Sequence, residues 1–181
     1  MKFSLSSPRA MLNSCCIALL LLFTTPLAAQ TGPMLSYHLT HDMLRTDDHF
    51  AVTLYDDGMG LVHYPVHMEM AGDYTVQLSP SEVQSIRLLL EHPLVQDFDP
   101  GRVGAEKRHI DEQSEELFAI SDDSHSNFDI GIPGAEKSVR WDNLEVDADR
   151  YPEIGVFRKL ADIEAELLQL AEHPTAEAVA E

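Results

Sequence analysis

Residues 49–70 read HFAVTLYDDGMGLVHYPVHMEM, and this stretch decides the fold. Phe50, Val52 and Leu54 alternate with Ala51, Thr53 and Tyr55, which is the period of a strand with one buried face. Val62, Tyr64, Val66, Met68 and Met70 then alternate against His63, Pro65, His67 and Glu69, so a second strand follows. A two-residue Asp57-Gly58 turn would set Val52 opposite His63, apolar face against polar face. A three-residue loop, Asp56 to Gly58 with Gly58 left-handed, sets Val52 against Val62 and Phe50 against Tyr64. Because a one-residue slip turns every side chain over, the sequence predicts the three-residue loop.

Downstream, Ala71-Gly72-Asp73 turns the chain into a strand carrying Tyr74, Val76 and Leu78 on one face. Ser79-Pro80-Ser81-Glu82 has the cap, the first-turn proline and the reciprocal glutamate of a helix start. Val83, Ile86, Leu89 and Leu90 form its buried stripe, and Pro93 ends it. Residues 101–115 are polar and read as a long exposed loop. Strand signals resume at Leu117–Ile120, at Phe128, Ile130 and Ile132, and at Val139 and Trp141. A last helix, with Pro152 in its first turn, carries Val156, Leu160, Ile163 and Leu167. The expected fold class is α+β: a mainly antiparallel sheet built from two strand meanders, each followed by an amphipathic helix packed on one face.

Upstream, residues 1–29 have the three parts of a secretory signal peptide. Lys2 and Arg9 supply positive charge, Cys15 to Phe23 an apolar run, and Pro26-Leu27-Ala28-Ala29 a small-residue cleavage site. The apolar run is about half the ~20 residues of a membrane span. The predicted organisation is therefore a signal peptide at 1–29, an N-terminal arm at 30–48 that reads as a loop or a short first strand, one domain at 49–173 and a disordered tail at 174–181. The expected location is the periplasm or the outside of the cell, with no stable membrane span after cleavage.

Cleavage would leave 152 of the 181 residues and remove both cysteines, and with them thiol nucleophiles and cysteine-bound metals. Losing Lys2 and Arg9 takes the net charge from −19 to −21. So acidic a chain repels nucleic acid and anionic membranes, and stays hydrated and monomeric. The expected partner is a protein or small molecule of the cell envelope.

No nucleophile elbow, zincin helix, phosphate loop or dinucleotide glycine pattern occurs, so no catalytic residue and no cofactor is assigned. Asp97-x-Asp99-x-Gly101 opens like a calcium loop, but Arg102 replaces the required glycine and Arg108 the closing glutamate. His38, His41 and Asp42 are the candidate metal ligands, since His38 would share a face with either on a helix. His63 and His67 stand roughly 13 Å apart on a strand and read as solvent-facing histidines of an edge protected by Pro65. Trp141 alternates with Val139 and reads as core. Arg102, Lys107 and Arg108, three of few basic residues, are the candidate partner contacts.

Element order, the LSPSE helix start at Leu78–Glu82, the leucine-rich helix running to Phe98, and the closing strands and helix together resemble known domains. Over about residues 50–172 they are similar to small exported bacterial domains of unknown function. More loosely, they resemble the emfourin family of metalloprotease inhibitors. The function read from the sequence is an exported acidic non-enzymatic binding module. Inhibition of a secreted metalloprotease is the alternative implied by the resemblance; periplasmic metal binding and a carboxylate-dependent hydrolase are the others.

Overall fold

The computed structural model describes residues 32–42, 48–113 and 123–180. The expected signal peptide and the strand expected at Leu117–Ile120 lie outside the described residues. Strands β2 (Phe50–Leu54) and β3 (Met59–Tyr64) pair with Val52 opposite Val62 and Leu54 opposite Gly60. Tyr55 N donates to Met59 O at 2.9 Å, which encloses Asp56–Gly58 as the three-residue loop. Gly58 has φ +87°. A Cβ there would stand 2.4 Å from the Leu78 carbonyl oxygen, so the loop needs glycine for space as well as for conformation.

β3 stops at Tyr64, short of the expected run to Met70. Pro65 lacks the N–H a longer ladder requires, and Val66 is 82% exposed in the turn toward β4 (Gly72–Gln77). The segment read as an arm contains β1 (Leu35–His41), which lies in the middle of the sheet. It pairs with β2 on one side and with β5 (Ser124–Ile130) on the other. β6 (Lys137–Asp142) pairs with β5, and in the tail β7 (Glu177–Ala178) pairs with Tyr74 and Thr75 of β4. The antiparallel order is β6-β5-β1-β2-β3-β4-β7. β3 is therefore an inner strand and not an edge.

Helices follow each strand set. α1 (Pro80–Leu90) starts with the predicted reciprocal cap: Glu82 N donates to Ser79 Oγ, and Ser79 N to Glu82 Oε2. A short α2 (Pro93–Gln96) comes next. Most of the stretch 101–115, expected as a loop, lies in α3 (Pro100–Gln113). Its start is marked by Pro100 and by Asp99 Oδ1 accepting from Arg102 N at 2.6 Å. Val103 is its one fully buried residue, so polar tertiary contacts and not an apolar stripe hold it. α4 (Leu144–Arg150) and α5 (Gly155–Leu168) close the fold, with Pro152 in the turn between them and not in a helical first turn.

α5 buries Val156, Phe157, Leu160, Ile163 and Leu167, joining Tyr37, Phe50, Val52 and Phe128 of the sheet. Burying each such side chain contributes about 1.5–3 kcal/mol. Among them sits one carboxylate: Glu164, 7% exposed, accepts from Tyr37 Oη at 2.6 Å and Ser126 Oγ at 2.5 Å. Burial, with the neighbouring Glu164 charge, pushes the Tyr37 phenol far above its ordinary range, so it remains a donor. The helices occupy one face of the sheet. No helix among the described residues lies on the other.

Candidate functional site on the open face of the sheet

Strand alternation puts every second residue on the face opposite the described helices. The registers align one row across it: Arg140, Asn127, His38, Ala51, His63 and Asp73. The next row holds Ser138, Asp129, Ser36, Thr53, Leu61 and Thr75. Between β2, β3, β4 and the tail, a hollow of about 330 Å³ is lined by Ala51, Thr53, Leu61, His63, Asp73 and Val179, among others. Leu61 is 42% and Val179 51% exposed, so apolar groups meet solvent beside an imidazole and a carboxylate. That volume and that mix suit a small molecule or a side chain of a partner.

Four histidines shape the electrostatics. His63 holds Asp48 through Nε2 and Asp73 through Nδ1, both at 2.6 Å. His125 holds Asp42 through Nε2 at 2.8 Å and Asp142 through Nδ1 at 2.7 Å. An imidazole facing carboxylates on both nitrogens satisfies both only as imidazolium. Both histidines are raised above their ordinary value, the hydrogen bond to Asp48 contributing most at His63 and that to Asp142 most at His125. Asp48 is lowered, first by the Val66 N–H and then by His63. The two clamps grip Asp42 at the end of β1 and Asp48 ahead of β2, so both ends of the β1–β2 connection are tied to the sheet. His38 moves the other way, lowered by burial and then by His49, whose Nε2 lies 3.2 Å from its Nδ1.

The candidate ligands His38, His41 and Asp42 are not brought together. On a strand, His38 and His41 have opposite parity, and Asp42 is engaged by His125. Among the described residues no three His, Cys, Asp or Glu side chains could hold a metal ion. The candidate contact trio is also divided. Lys107 Nζ reaches Asp147, 1% exposed, at 2.7 and 2.9 Å, and lies 5.2 Å from the Tyr151 ring centroid. Arg102 donates to the Asp97 carbonyl at 2.7 Å, and Arg108 remains exposed on α3. Trp141, half-buried between Phe98 and Phe157, donates Nε1–H to Asp147 at 2.8 Å.

Sequence reading missed the partners of His49 and His125. The alternation placing His125 with Asn127 and Asp129 was visible, but its contact with Asp42 spans 83 positions and needs the β1–β5 pairing. No family model, no curated protein and no solved structure matches this chain.

Proposed function

We propose that the protein is an exported, acidic, non-enzymatic binding module that recognises a partner in the cell envelope through the open face of its sheet. The observation that carries this is the hollow beside His63, where Leu61 and Val179 meet solvent on a face no described helix covers. The signal-like residues 1–29 and the charge of −19 support export and a hydrated, monomeric state. Site-specific photo-cross-linking in intact cells tests it. A photo-reactive residue at Thr53 or Thr75 should give a discrete adduct, while one at Glu106, exposed on α3, should not. Adducts only from Glu106, or a product retaining residues 1–29 by mass, would contradict the proposal.

A further inference from the structure

On the helical side, a groove of about 490 Å³ runs between α1 and the end of α5 with the 3-10 turn Leu170–Glu172. Leu78, Ile86, Leu89 and Leu170 give it an apolar floor, and Glu82, Glu166 and Glu172 an acidic rim. No lysine or arginine lines it. Glu82 accepts from Ser79 N at 2.7 Å and contacts His173 Nε2 at 3.0 Å. Those hydrogen bonds, Ser79's foremost, hold it at about 2, so this part of the rim stays charged. Glu166 and Glu172 are exposed and take part in no ion pair among the described residues.

Two helices flanking an apolar cleft present ridges on which a third can lie, and carboxylates of one sign around it select the opposite charge. We infer that this groove docks a short amphipathic helix of a partner protein, its apolar face on Ile86, Leu89 and Leu170 and its Lys or Arg residues against Glu82, Glu166 and Glu172. This is helix-in-groove recognition, on the side of the molecule opposite the open sheet face and independent of it.

The test uses the full exported protein and a fluorescein-labelled Leu/Lys peptide with leucines at helical spacing, read by anisotropy. Saturable binding should weaken as salt rises. Glu166→Gln with Glu172→Gln should weaken it roughly fivefold without moving the melting temperature. The same charge change on α3, Glu106→Gln with Glu112→Gln, should leave Kd within about twofold. A scrambled peptide of identical composition should bind less tightly than the ordered one. Equal losses in the two double variants would reduce the effect to general attraction by an acidic protein and overturn the inference. So would equal affinity for the scrambled peptide, or no saturable binding by the wild type.

Discussion

Substituting Lys107 separates the structural reading of α3 from the loop reading. Asp147 is 1% exposed and takes two bonds from Lys107 and one from Trp141. Lys107→Met leaves that carboxylate with the indole donor alone. Removing one partner of a buried ion pair costs about 3–5 kcal/mol. The lysine side chain is 29% exposed, so water can replace part of what is lost, and the lower part of that range applies. Lost contacts with the Tyr151 and Trp141 faces, at 5.2 and 6.0 Å, add about 0.5 kcal/mol. About 3.5 kcal/mol follows, a fall of roughly 7–14 °C in a chain of this size. Urea unfolding of the purified protein measures it, with Arg108→Met as the exposed control, expected within ~0.5 kcal/mol of wild type. Lys107→Met with Asp147→Leu should recover part of the loss, because no charge is then left buried. If Lys107→Met and Arg108→Met were equally mild, the pair would not hold α3.

At Gly58, both Ala and Asn should destabilise by at least about 2 kcal/mol, since the left-handed cost adds to contact with the Leu78 carbonyl; a mild Asn variant in the same urea assay would show that the loop relaxes. Tyr37→Phe takes one of two donors from buried Glu164 and should cost about 1–3 kcal/mol; no change in unfolding midpoint would mean water reaches the carboxylate. His63 and His125 are raised in the folded state, so their stabilisation is complete below ~6.5 and is lost as pH climbs through the raised values. His38 is lowered and has the opposite sign, subtracting stability as pH falls below ~6.5. Residue-resolved NMR titration should place His63 and His125 above His38, and a reversed order would break the clamp assignment.

Local chemistry made part of this fold legible. The hairpin loop followed from which residues face which, and the α1 start from Ser79, Pro80 and Glu82, because both depend on neighbours in sequence. β1 is legible only as one of two alternatives, a loop or a short first strand, because the alternation of Leu35, Tyr37 and Leu39 is brief and its central place depends on pairing with β2 and β5. α3 was missed for a physical reason: Gly101, Gly104 and a single buried valine give no amphipathic stripe, and what holds it is 40 residues away at Asp147 and Tyr151. The candidate site suffered the same way. The carboxylates on His63 and His125 lie in or beside strands whose order only the folded sheet defines.

The mature chain expected after cleavage has no cysteine, so one introduced at Thr53 reports on the open face alone. Maleimide labelling of Thr53→Cys is the most direct measurement, made on purified protein and in the intact envelope, with Val52→Cys, buried at 0%, as the reference. Rapid labelling of position 53 when purified, no labelling at 52, and protection of 53 in the envelope is the expected result. Slow labelling of purified Thr53→Cys would mean that the face is covered, and equal labelling in both settings would mean that nothing binds there.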